Sequence, residues 1–312
     1  MQRRDALAAL CAWPALVKAG PRIAHALLVG VSVYPRLNGK ALPGAANDVA
    51  LMARTVEALG VAPEHLTRLA EDALPPTRAR IVEALAALAA SARPGDWLLV
   101  YFSGHGAQVP ARSGREGDGL DEVFLPRDTE AWDPERREVR GALRDKDIAA
   151  ALHRIRARGA HVWAIFDTCH AADMTRQAGS GRGPLWRFAS PADLSIPLPL
   201  WLKQWQRGLS ASPRRRTATV PGHGQFVGFY AAQEGEGAIE ERLPDPAAPA
   251  ETRLYGLFTH RLALAVPQWL AEPQTATFAS LAAGVRQGYG DRPFPTPEFV
   301  GALERRPDLG RP

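Results

Sequence analysis

The chain has 312 residues, 46% of them hydrophobic and 23% charged, with a formal charge of +5. That is enough apolar material for one large packed domain, and it excludes a wholly disordered chain. The positive charge does not describe a nucleic-acid surface: Lys is scarce, the arginines are scattered among Ala and Pro, and Arg214, Arg215 and Arg216 lie in a Pro/Ser-rich stretch without interleaved aromatics.

From the N-terminus, "MQRRDALAALCAWPALVKAG" has a basic start with paired Arg3 and Arg4, an apolar run from Ala6 to Val17, and small residues around Lys18. This is the layout of a removable export signal over residues 1–20, and the arginine pair resembles the twin-arginine type. A mature chain outside the cytoplasm, in the periplasm, is the expectation; a first helix packed on a cytoplasmic domain is the alternative. No segment is long and apolar enough to span a bilayer. Removing the leader would take Cys11 with it and leave Cys169 without a disulfide partner.

Buried strands are expected at "HALLVGVSVY" (25–34), "WLLVYFSG" (97–104), "HVWAIFD" (161–167) and "FVGFYAAQ" (226–233). A weaker strand, "LTRLAEDA" (66–73), is expected between the first two. Helices intervene. "AANDVALMARTVEALG" puts Val49, Met52, Val56 and Leu59 on one face, "TRARIVEALAALAASARPG" repeats the pattern, and "DKDIAAALHRIRARG" opens on acids and closes on arginines. Continuous apolar strands alternating with amphipathic helices predict a mainly parallel sheet covered on both faces. After Asp173 a Gly-, Pro-, Ser- and Arg-rich segment, roughly 177–224, reads as a flexible insertion within a domain spanning 21–290, with a Trp-rich patch near 198–205 that a short helix would explain. Residues 291–312 read as a Pro/Arg-rich tail.

Parallel sheets present their reactive groups beyond the carboxyl ends of the strands. Two strands end there in chemistry: "FSGHG" delivers His105 between Gly104 and Gly106, and "IFDTCH" delivers Cys169. A thiol with an imidazole to take its proton is a nucleophile and base for acyl transfer. The flanking glycines leave room for backbone N–H groups to approach a developing oxyanion.

"YFSGHG", "DGLDEVFLPRD" and "AIFDTCHAAD", together with "LLVGVSVY", "LPGAANDVALM", "FVGFYAAQEGEGAIE" and "YGLFTHRL", resemble the caspase-like cysteine peptidases, and within them the metacaspase branch of bacterial type. The likeness runs from about Ile23 to about Val266. It implies a caspase/hemoglobinase-like three-layer α/β sandwich, His105 and Cys169 as catalytic dyad, and an oxyanion site at the backbone of Gly106 and Cys169. It also implies a specificity pocket of Asp48, Asp167 and Ser103 that takes Arg or Lys through bidentate bonds. Thr168, Ala171 and Ala172 depart from the family pattern. The calcium site of many members is matched only by Asp121 and Asp145; Lys146 and Arg176 stand where further acids are expected, so calcium activation is implied only in part. The chemistry itself needs no cofactor. Self-cleavage within 177–224, at Arg182, Arg187, Arg207 or above all the run 214–216, is a further expectation, with the linker folding over the site as an uncut plug as its alternative.

Three other readings compete. A zinc site from Cys169, His105 and His170 lacks recognisable ligand spacing. A hydrolase elbow needs small residues two positions either side of the nucleophile, and only Ala171 qualifies. An inactive caspase-like binding module is the rival from another class. His25, His153, His161 and His260 fall inside strand or helix patterns and read as packed or surface residues.

Overall fold

The computed structural model describes residues 23–37, 39–111, 119–169, 185–208, 223–233 and 235–306. The leader, His170, Arg176, Arg182 and the run 214–216 lie outside them, and so do the expectations placed there.

The first strand, β1 (Ile23–Gly30), is followed by α1 (Gly44–Ala58), which buries Val49, Met52 and Val56. Next come β2 (Leu66–Leu69) and α2 (Arg78–Ser91), the latter capped by the Thr77 side chain, which accepts the Arg80 N–H. β3 (Trp97–Ser103) is buried along its whole length. Short strands then turn back on themselves: β4 (Gly106–Pro110), β5 (Leu120–Phe124), β6 (Trp132–Asp133), β7 (Glu138–Val139) and β8 (Leu143–Arg144). α3 (Asp145–Ala157) carries Asp145 and Asp147 in its first turn and Arg154 and Arg156 in its last, the order the helix dipole favours. β9 (His161–Asp167), β10 (Leu185–Trp186), α4 (Leu198–Gly208) and β11 (Phe226–Tyr230) follow. The chain closes with β12 (Ile239–Asp245), β13 (Ala248–Gly256), α5 (Leu257–Ala271), α6 (Phe278–Tyr289) and β14 (Glu298–Gly301).

Among the described residues the main sheet has six strands in the order β14-β11-β9-β3-β1-β2, all parallel except β14. Alternate side chains of each strand feed two cores. Leu28, Leu99, Tyr101 and Ile165 pack toward α1, α5 and α6, while Leu27, Val29, Val100 and Phe102 pack toward α2 and α3. The result is the expected three-layer α/β sandwich. None of the described helices is long and apolar enough to cross a membrane.

Three expectations change. The weak strand β2 pairs with β1 at the sheet edge, whereas β3, next in the chain, crosses to the other side of β1. The C-terminal stretch is not merely a tail, because β14 pairs antiparallel with β11 and supplies the sixth strand. Residues 185–208 of the supposed insertion are built into the domain: β10 pairs with β12, and α4 docks Trp201, whose indole N–H donates to the Gln108 carbonyl at 3.0 Å. The Trp-rich patch is indeed a short helix.

Candidate active site

β3 and β9 pair in parallel with Ser103 opposite Asp167, so residues two steps beyond this matched pair, His105 and Cys169, leave the same rim of the sheet. The His105 backbone is held at both ends: its N–H donates to the Tyr34 hydroxyl at 2.8 Å, and its carbonyl accepts the Leu125 N–H at 3.0 Å. Gly104 makes this approach possible, since a Cβ there would lie 2.9 Å from the Tyr34 hydroxyl and 3.1 Å from the Phe124 ring. Both ring nitrogens of the buried His105 lack a hydrogen-bond partner among the described residues. Burial, with Lys40 and Arg187 nearby, pushes its pKa down to about 3.

Cys169 is also buried, 1% exposed. Its Sγ lies 3.3 Å from the Ala238 carbonyl, to which it donates, and it also accepts the Ala238 N–H. Burial pushes its pKa up to about 12. The pair rests as neutral thiol and neutral imidazole.

Asp48, Asp167 and Ser103 converge on one polar core. The Asp48 carboxylate accepts the Ser103 hydroxyl at 2.9 Å and the Gly256 N–H at 2.9 Å. Asp167 accepts both the N–H and the hydroxyl of Thr259, at 3.0 and 2.6 Å. A third carboxylate, Glu240, accepts the Gly44 N–H at the start of α1 at 3.0 Å. A guanidinium lies among them. Arg187, 0% exposed, reaches Asp48 at 2.5 Å, Asp167 at 3.3 Å and Glu240 at 3.4 Å, and donates to Ser103 at 2.7 Å. Burial and neighbouring carboxylates raise the Asp48 and Glu240 pKa values against the pull of this one cation. The backbone amides of Gly106 and Cys169 also converge, both donating to the Arg187 carbonyl, at 3.0 and 3.4 Å.

Arg187 was legible only as one arginine of a linker, and Glu240, Thr259 and Tyr34 carried no individual signal. Glu240 and Thr259 do sit in the stretches "EGEGAIE" and "YGLFTHRL". A search for acids bracketing a strand end could have raised Glu240.

The partial calcium motif does not fit a dication. Asp121 is paired with Arg144 at 2.8 Å and with Lys146 at 2.8 Å, so two cations hold the carboxylate that calcium would need. Among the described residues no three His, Cys, Asp or Glu side chains gather as a metal site. The other described histidines are packed or at the surface: His161 accepts the Gln225 N–H, His260 contacts the Pro244 carbonyl, His25 lies against the exposed His65, and His153 is exposed beside His223.

Comparison with known proteins agrees with this architecture. The caspase-domain family matches residues 23–288. Metacaspase-1 of Mycosarcoma maydis is 32% identical over 150 residues, which is 47% of this chain and 35% of that protein. Metacaspase-1A of Aspergillus niger is 35% identical over 240 residues, 74% of this chain and 54% of that protein. The chain thus spans about a third to a half of the length of these relatives. Among solved structures, protein GSU0716 of Geobacter sulfurreducens superposes with a TM-score of 0.63 at 23% identity, over 92% of this chain and 98% of that one. Caspase-1 of Spodoptera frugiperda superposes with a TM-score of 0.50 at 11% identity, over 90% and 87% of the two chains. These two likenesses concern the fold.

Proposed function

The chain belongs to the caspase-domain family, and from that premise we propose that it is a cysteine endopeptidase with Cys169 as nucleophile and His105 as its base, cleaving after Arg or Lys. The observation that carries the reading is a convergence. Two residues beyond the matched ends of β3 and β9 stand a thiol and an imidazole, and beside them two backbone N–H groups point at one carbonyl oxygen. Donors fixed in this way stabilise the oxyanion of acyl transfer without reorganising. The preference for a basic side chain rests on the three buried carboxylates, which already accommodate a guanidinium.

In this reading the Cys169 proton passes to His105 as sulfur attacks the carbonyl carbon. The imidazolium then protonates the departing amine, and water hydrolyses the thioester with His105 again as base. No cofactor enters. Because Asp121 is already neutralised, activity is expected to be unchanged by chelation of calcium, measured as peptide hydrolysis with and without a chelator.

Cys169→Ala and His105→Ala are each expected to lower turnover on the order of a thousandfold or more while leaving the circular-dichroism spectrum intact. A profile of amide substrates differing only in the residue before the cleaved bond tests the specificity, and a preference for Asp would refute it. Retained turnover in Cys169→Ala would remove Cys169 as the nucleophile, and absence of turnover in the wild type would favour the binding-module alternative. Export of the mature chain belongs to the same proposal; mass spectrometry of the native N-terminus checks it, a start near Gly20 being expected.

A further inference from the structure

The stretch "LLVGVSVY" ends in a tyrosine that the chemistry above does not use. We infer that Tyr34 is a positioning residue of this site: its hydroxyl fixes the backbone of His105, and through that backbone both the imidazole and the Gly106 N–H are held where acyl transfer needs them. The inference rests on the peptidase reading above and deepens it.

Tyr34 lies in the segment beyond the carboxyl end of β1, which runs beside the end of β3. The Val31 N–H donates to the Ser103 carbonyl at 2.9 Å, just past the β1–β3 ladder. The loop then closes on itself: the Leu37 N–H donates to the Tyr34 carbonyl at 3.0 Å and the Leu42 N–H to the Ser32 carbonyl at 2.9 Å. Val33 is 43% exposed, whereas Tyr34 beside it is 4% exposed and turned into the core that holds Leu37 and Phe124.

β3 stops at Ser103, so the His105 N–H has left the ladder that would have paired it. A buried amide without a partner is costly, and this one donates to the Tyr34 hydroxyl oxygen at 2.8 Å. Burial raises the phenol above its ordinary pKa, so the hydroxyl stays protonated and its oxygen accepts in the same way throughout the pH range of an assay. The ring makes a second contact. Its centroid lies 5.0 Å from that of the His105 imidazole, at a tilt of 46°. Neither imidazole nitrogen is paired among the described residues, so it is packing against Tyr34, and not a hydrogen bond, that orients the ring.

The same contact sets an oxyanion donor. A trans peptide directs its N–H and its C=O in opposite senses. The peptide joining His105 to Gly106 has its carbonyl on the Leu125 N–H at 3.0 Å, and its N–H is thereby turned to the point on which the Cys169 N–H also converges. The peptide before it, joining Gly104 to His105, is fixed by Tyr34. With both planes pinned, the imidazole and the Gly106 N–H keep one mutual geometry; release of the first plane would let both drift. A tyrosine that only filled the core would act through its ring, and phenylalanine would replace it without loss of turnover. Here the hydroxyl oxygen accepts from the base residue itself.

The test is Tyr34→Phe in the full chain, which keeps the ring and removes the acceptor. Hydrolysis of an Arg-amide fluorogenic peptide is expected to lose about tenfold to a hundredfold in kcat, with KM within about twofold, because the reacting groups are misplaced while the pocket is intact. Inhibition by an Arg peptide aldehyde, whose thiohemiacetal oxygen needs the Gly106 N–H, should weaken by a similar factor. Inhibition by the matched argininol peptide, which has the side chain but no carbonyl, should not change. Thr277→Ala serves as the destabilised control: Thr277 caps α6, whose Phe278 packs on Trp97 at the opposite end of β3 from His105, so the urea midpoint should fall and kcat should stay. Unchanged kcat in Tyr34→Phe, or equal weakening of the aldehyde and the argininol peptide, would overturn this inference and leave the peptidase reading standing. If the wild type hydrolyses no peptide, that reading falls and takes the inference with it.

Discussion

At Cys169 and His105 burial acts on groups of opposite charge type and leaves both neutral, the thiol held up at about 12 and the imidazole down at about 3. For His105 this has a consequence for stability. A base whose pKa is lower in the folded chain than its ordinary 6.5 takes up a proton more readily when unfolded. The stability it permits is therefore fully present above pH 6.5 and is lost as the pH falls from there toward 3, a window worth up to a few kcal/mol. Chemical denaturation of wild type and His105→Ala at several pH values is expected to show a shallower loss between pH 6.5 and 4 in the variant. Equal slopes would show that His105 protonates freely in the folded chain. The difference between the two proteins matters more than either curve, since Asp193 and Asp245, with pKa values below the ordinary carboxylate range, also destabilise on acidification.

At the scale of elements, the junction of β13 and α5 closes over the carboxylates at Gly256. Its φ of −59° is open to any residue, so it is space and not conformation that requires glycine. A Cβ there would fall 2.1 Å from an Asp167 oxygen and 2.8 Å from the Arg187 guanidinium. Gly256→Ala is expected to cost about 1–3 kcal/mol in urea unfolding and to disturb pocket chemistry. Gly284→Ala, inside α6 with only the Ala265 methyl at 3.5 Å, should be neutral or stabilise by up to about 1 kcal/mol. A similar cost at both positions would remove the steric argument. The same junction explains what the sequence could and could not tell. β3 and β9 were legible because each is a continuous apolar run ending in reactive residues, and that pattern is local. The ionic partners of Arg187 come from α1, β9 and β12, with sequence separations of 139, 20 and 53 residues, and no local pattern records such a meeting. β10 and β14 were missed for a related reason: Leu185–Trp186 and Glu298–Gly301 are too short and too mixed to read as strands until β12 and β11 pair with them.

For the whole molecule, the position of Arg187 in the chain order decides what a cut there would do. The piece ending at Arg187 carries β1, β2, β3 and β9, while the piece beginning at Phe188 carries β11, β14, α5 and α6. The sheet runs straight across this division, because β9 pairs with β11 through five consecutive residues, Val162 opposite Phe226 to Phe166 opposite Tyr230. One core crosses it too: Trp163 from the first piece packs edge-on against Phe229 and Phe278 from the second, with ring centroids 5.4 and 5.0 Å apart. Separating the pieces would expose that aromatic core and an interior strand edge together, and each large buried side chain is worth about 1.5–3 kcal/mol when kept from water. The loss of one peptide bond removes none of these contacts. Residues 1–187 and 188–312 produced as two chains in one cell are therefore expected to copurify and to elute from a sizing column as a single particle of the intact chain's mass, separating only in denaturant. Elution of two separate species under native conditions would show that the covalent link, and not the shared sheet and core, holds the halves together.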